Sequence, residues 1–156
     1  HDKETFVYYS TFLDHKHLKE ITRYGLLKIN PIFCPSVGAF PQGMAVSLPL
    51  HFDWMKEGIN GRKIHDIFKD RYRSEEFVSL NPLNSKESLT KEGFLSPEIL
   101  IGTNYLNISI FSNDLSGQVW LIARLDNLGK GASGAAVQNM NLKFGFNEKL
   151  GTKLSK

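Results

Sequence analysis

The spacing of apolar positions changes several times along the chain, and each change marks a predicted element. Thr5-Phe-Val-Tyr-Tyr9 is aromatic and β-branched, as suits a strand. His17 to Tyr24 fits a short helix, with Asp14 placed as its N-cap and Gly25 as its stop. Leu27 to Cys34 and Met44 to Leu50 are apolar stretches separated by the irregular "PSVGAFPQG", which reads as two strands and a loop. From Gly61 the period becomes helical: Ile64, Ile67, Phe68 and Tyr72 share one face, while Arg62, Lys63, Asp66, Lys69, Asp70 and Arg73 take the other. Residues 81–97 are polar and interrupted, which suits a surface loop or a flap. Tyr105 to Phe111 and Gln118 to Leu125 read as strands joined through "SNDLSG", a hairpin composition. The last element, about Lys130 to Phe144, places Ala136, Val137, Met140 and Phe144 on one helical face before Gly145 ends it. The sum is an α+β domain: an open, largely antiparallel or mixed sheet with helices packed on it.

Composition narrows the classes. A chain of 156 residues with 41% hydrophobic and 22% charged content suits a soluble globule, and no run approaches the length a membrane span needs. The net charge of +3 comes from interspersed residues, so nucleic acid is not an expected partner. A basic helix face at Arg62, Lys63, Lys69, Arg71 and Arg73 is the one feature that favours nucleic acid, and Asp66, Asp70, Glu75 and Glu76 offset it. One cysteine, Cys34, precludes an internal disulfide and suits a reducing cytosol, so the chain reads as cytoplasmic.

Three features bear on chemistry. Gly129-Lys-Gly131-Ala-Ser-Gly134 is a literal G-x-G-x-x-G, but only 22 residues follow it, too few for a self-contained dinucleotide fold. Its glycines fit either close helix packing or a helix start that faces an anion supplied from elsewhere. "DHKHLKEI", residues 14–21, holds His15, His17 and Glu20; its spacing fits a capped helix start, with acid–base work as the second reading. No fourth ligand completes a metal site there, and no metal is expected. Cys34 ends an apolar stretch ahead of a proline, the setting of a structural thiol.

A longer pattern goes further. "DNLGKGASGAAVQNMNLKFGF", residues 126–146, resembles the C-terminal signature of N-acetyl-gamma-glutamyl-phosphate reductases. "HKHLKEI" resembles that family's His-Arg-His-x-Pro-Glu-Ile motif, Tyr9 stands six positions before its first histidine, and "GTNY", residues 102–105, resembles a third block in the same order. The resemblance implies a domain of an NADPH-dependent reductase of arginine biosynthesis, similar to glyceraldehyde-phosphate dehydrogenase in its C-terminal fold. Such an enzyme converts an acyl phosphate to N-acetylglutamate semialdehyde through a cysteine thioester. It implies His15 as the acid–base residue, Tyr9, Lys16, His17 and Glu20 at the substrate, and Asn127, Lys130 and Gly131 beside NADP. Residues 1–128 would be the catalytic and dimerisation domain, and 129–156 a helix and tail packed against an absent nucleotide-binding domain.

Cys34 follows the histidine motif, so by the same resemblance the nucleophile lies outside this chain, which alone is expected to be inactive. The expected partners are the acyl phosphate, the missing Rossmann domain and further copies of the chain, as a dimer or tetramer. Lys16 stands where the family has arginine, Lys19 where it has proline, and Ser36 and Gln42 where histidine and arginine are frequent; Lys16 keeps a cation without the bidentate fork. A non-catalytic regulatory module of the same fold, and a different semialdehyde dehydrogenase such as the aspartate-semialdehyde enzyme, are the alternative readings.

Overall fold

The structure, a computed structural model, describes residues 5–152; residues 1–4 and 153–156, the outer ends of the two expected segments, lie outside the described residues. The chain forms two compact units, His1–Pro41 and Gln42–Lys156.

In the first unit, β1 (Phe6–Tyr8) pairs antiparallel with β2 (Ser36–Gly38), Val7 opposite Val37. The seven-residue helix α1 (Leu18–Tyr24) lies between them in the chain. Its start differs from expectation, because Asp14 makes no capping bond; the His17 N–H is instead taken by Nδ1 of His15 at 3.1 Å. Gly25 does end the helix, but in right-handed geometry, and Leu26 takes the left-handed position at φ 52°. Glycine is needed at 25 for space, since a Cβ there would sit 2.6 Å from the Ile21 carbonyl oxygen. The strand expected over Leu27 to Cys34 is absent. Pro31 and Pro35 supply no N–H to a ladder, and Ile32 is 83% exposed, so no core rewards an extended run there. The segment is held by Thr22 Oγ1, which donates to Asn30 Oδ1 at 2.8 Å.

The second unit is built on a four-stranded sheet in the order β3-β6-β5-β4, with β3 (Met44–His51), β4 (Val78–Leu80), β5 (Leu106–Asn113) and β6 (Gln118–Leu125). β6 runs antiparallel to both neighbours, and the short β4, which no apolar run signals, lies parallel to β5. The β5–β6 turn forms as its composition predicts: Asn113 Oδ1 accepts from the N–H groups of Leu115 and Ser116, and Gly117 takes φ 67°.

α2 (Gly61–Tyr72) packs Ile64 against Ile108, Ile110, Val119 and Leu121 to make the core, with Phe68 and Tyr72 at its margin. Asn60 caps it through the Lys63 N–H at 2.9 Å. Ile67, expected on the buried face, is exposed; His65 is buried instead, its Nε2 3.0 Å from the Asn81 carbonyl oxygen. Beyond β6 a π-helical turn (Gly129–Ser133) leads into α3 (Gly134–Phe144), which ends at left-handed Gly145 as the sequence suggests. The expected apolar face of α3 is not its packed face. Ala136 and Met140 are exposed and Phe144 is 68% exposed, with Val137 half-buried, whereas Gly134 and Asn141 are buried. Asn141 Nδ2 donates to the carbonyls of Leu150 and Glu148, so a polar clamp rather than an apolar stripe seats the helix. Among the described residues no helix is long and apolar enough to cross a membrane.

Candidate functional site

The first unit gathers Tyr9, His15 and His17 around one ring. Between Tyr9 and His15 the backbone turns through Ser10 and Leu13, at φ 48° and 59°. Left-handed geometry costs a non-glycine residue roughly 1–2 kcal/mol, and here it folds the two aromatic groups onto each other. The His15 ring meets Tyr9, His17 and Phe33 edge-on, with centroids 5.5, 4.6 and 5.1 Å away. His15 is half-buried, while Tyr9, Lys16, His17 and Glu20 are exposed. Because Nδ1 accepts the His17 N–H, the neutral imidazole carries its proton on Nε2. The arrangement therefore presents an oriented N–H that can hold a thiolate or an acyl oxygen, and a ring that can pass on a proton from Nε2 when it is charged.

Beside this cluster lies a cavity of about 390 Å³ whose wall includes Tyr8, Tyr9, Phe33 and Cys34. Cys34 is exposed there, not the strand-end structural thiol its sequence setting suggests. His17 and Glu20 are three apart, yet no hydrogen bond or ion pair joins them among the described residues. Among the same residues no three His, Cys, Asp or Glu side chains converge as a metal site.

The C-terminal motif in the second unit is organised by Asp126, which sequence reasoning quoted but did not single out. It is completely buried, and both carboxylate oxygens are saturated. Oδ1 accepts from the N–H groups of Leu128 and Gly129 at 2.9 and 3.0 Å; Oδ2 accepts from the Gly102 N–H at 2.8 Å and Gln42 Nε2 at 2.6 Å. Burial opposes its ionisation, yet these donors, Gln42 foremost, hold the carboxyl below the usual aspartate value. Asp126 thereby joins "GTNY" to "DNLGKG", two of the three blocks read from the sequence.

The three residues expected beside a cofactor surround this hub. Asn127 Oδ1 accepts the Gly43 N–H at 2.7 Å. The Gly131 N–H is bonded to the Asp126 carbonyl at 2.8 Å, and a Cβ on Gly131 would press to 3.3 Å from Leu125. Lys130 Nζ donates to Gln138 Oε1 at 2.7 Å and lies 5.4 Å from the Phe77 ring centre. Burial draws its pKa below the ordinary lysine value, against the opposing pull of Glu148 and Glu75. Asn127 Oδ1 and one Lys130 N–H are thus engaged within the second unit. Gly134 is explained by packing, because a Cβ there would run into the side chain of buried Asn104. Buried Arg124 also escaped the sequence reading, since nothing in its strand distinguishes an inward arginine from a surface one.

Comparison with known proteins places these features. The family described as semialdehyde dehydrogenase, dimerisation domain, matches residues 1–127. The N-acetyl-gamma-glutamyl-phosphate reductase 2 of Nostoc sp. (strain PCC 7120) is 41% identical over 146 residues, covering 94% of this chain and 45% of that protein. N-acetyl-gamma-glutamyl-phosphate reductases of Brucella anthropi and Rhizobium etli are 42% and 45% identical over 137 and 134 residues, covering 88% and 86% of this chain and 43% and 42% of theirs. The chain thus spans less than half the length of these relatives. With its mixed sheet, three helices and family match, the chain belongs to the semialdehyde dehydrogenase dimerisation-domain family.

Proposed function

We propose that this chain is the dimerisation part of a cytoplasmic, NADPH-dependent N-acetyl-gamma-glutamyl-phosphate reductase of arginine biosynthesis, with His15 as its acid–base residue. The observation that carries the reading is the fixed His15 ring, tied at Nδ1 to the His17 N–H and leaving Nε2–H as donor. In this account a cysteine thiolate from an upstream part of the protein attacks the acyl phosphate, and phosphate leaves the tetrahedral adduct to give the thioester. His15 Nε2–H stabilises charge on the acyl oxygen. NADPH would be held mainly by the upstream part and would supply a hydride there. As the imidazolium, formed with loss of the Nδ1 bond to the His17 N–H, His15 protonates the hemithioacetal oxygen through Nε2–H; the neutral ring left behind takes the proton back at Nε2 as the aldehyde forms and the thiolate leaves.

Tyr9, Lys16, His17 and Glu20 face the substrate in this reading, with Lys16 as a point cation in place of an arginine fork. Asn127, Lys130 and Gly131 form the wall against which the nucleotide packs, and residues 129–156 dock on the upstream domain. Within that segment, exposed Met140, Phe144 and Phe146 supply apolar surface for that docking. Val46 and Leu48 on β3 supply further apolar surface for pairing with a second copy.

The test is turnover. N-acetylglutamyl phosphate and NADPH given to the complete protein should yield semialdehyde and phosphate, while the 156-residue chain alone should give none. Turnover by the isolated chain, or reduction of aspartyl phosphate in preference, would overturn the assignment.

A further inference from the structure

The second unit contains a buried cation whose chemistry is unused. Arg124 on β6 is 1% exposed, and no carboxylate forms an ion pair with it among the described residues. Its guanidinium has five N–H donors. Three are committed: Nη1 to the carbonyls of Ser96 (3.1 Å) and Ser88 (3.4 Å), and Nη2 to Asn107 Oδ1 (3.0 Å). Nε is buried without a partner, and the second N–H of Nη2 takes no acceptor. Burial lowers the pKa of Arg124, but guanidinium remains charged at physiological pH. A cation held among neutral acceptors lacks the compensation that buried charges normally find.

Arg124 also forms part of the wall of a cavity of about 410 Å³ between the β5–β6 face and the 81–100 segment. That volume lies within the range of small-molecule sites. Its lining divides in character: Asn107 and Thr90 are polar, whereas Leu89 and Phe94 are apolar. One guanidinium balances one negative charge, so a monoanion suits the site better than a phosphate dianion. The apolar lining then calls for a carbon body behind the charge. Glu87 lines the same cavity but is exposed and does not reach the arginine.

We infer that this cavity binds a small organic monocarboxylate with an apolar body, its carboxylate paired to the free Nε and Nη2 donors of Arg124. The residues involved all belong to the second unit, and the inference is independent of the reductase reading. The same bonds from Arg124 to Ser88 and Ser96 pin the 81–97 loop to the sheet, so occupancy would rigidify that loop as well.

The experiment is a titration of the ¹⁵N-labelled full chain with hexanoate, following the Arg124 Nε–Hε resonance. A saturable shift in the millimolar range or below is expected. Hexanol should bind at least about tenfold more weakly, because it lacks the charge-assisted bonds, and inorganic phosphate should not saturate the signal. Arg124→Met, followed through the backbone amide of Asn107 in the same cavity wall, should abolish hexanoate binding. Should that variant fail to fold, Glu87→Gln keeps the test intact: it removes a negative charge from the cavity lining that would repel the ligand, and should leave hexanoate affinity equal or tighter. An unmoved Nε–Hε signal, an equal response to hexanol or to phosphate, or a hexanoate affinity lost in Glu87→Gln would overturn the inference and leave an ordered water as the occupant.

Discussion

The surroundings of His15 and of Asp126 differ in how much of each group's bonding capacity is spent. Asp126 is fully buried, and its four acceptor positions are filled by donors from three separate stretches of chain. His15 is half-buried, held through one ring nitrogen and three edge-on aromatic contacts, with the other ring nitrogen uncommitted. A saturated carboxylate can only hold structure. An oriented ring whose Nε2–H has no acceptor can still hold an oxygen or sulfur and exchange a proton through its charged form, and left-handed Ser10 and Leu13 precede it in the chain. Substitutions in the Asp126 network should therefore cost stability, and those at His15 should cost rate.

The largest stability effect is expected at Asp126 itself. Asp126→Ala strands four donors without acceptors and should lower unfolding stability by about 3–5 kcal/mol, measured by urea denaturation. A loss under about 1 kcal/mol would mean that water replaces the carboxylate and that the hub is dispensable. Next comes Gly134→Val, which drives a side chain into Asn104 and should cost about 1–3 kcal/mol by the same measurement. A neutral result would show that α3 shifts freely and would blur the contrast.

The third effect depends on pH. The folded-state pKa of Asp126 is depressed, so its contribution is fully present above the unfolded aspartate value, near 3.9, and is lost as pH falls from there through the folded value. Stability of the wild-type chain should fall more steeply in that acid window than that of Asp126→Asn. Parallel curves would remove Asp126 from the account of acid lability.

Local patterning reveals much of the scaffold and little of this contrast. β5, β6, their hairpin turn, α2 and the Gly145 stop follow from short-range signals: period, turn residues and a left-handed glycine. β4 has three residues and forms through its parallel partner, so no window around it carries the signal. Leu27 to Cys34 misleads in the opposite direction, because apolar composition without donors at Pro31 and Pro35 and without a covering layer makes no strand. The apolar positions of α3 define a real face, but one left uncovered while Gly134 and Asn141 do the packing. The Asp126 hub is non-local: Gln42 reaches it across 84 positions and Gly102 across 24. His15 could be named from its motif, whereas the bond that fixes its tautomer could not, since a capping role pointed to Asp14.

His15 is proposed to move the proton in the complete protein without holding the fold together. The most direct test of that role is the complete protein carrying His15→Asn, measured for both reductase turnover and urea stability. A fall in kcat of about 10²–10⁴-fold is expected, with stability within about 1 kcal/mol of wild type. A variant that folds normally and turns over at the wild-type rate would contradict it.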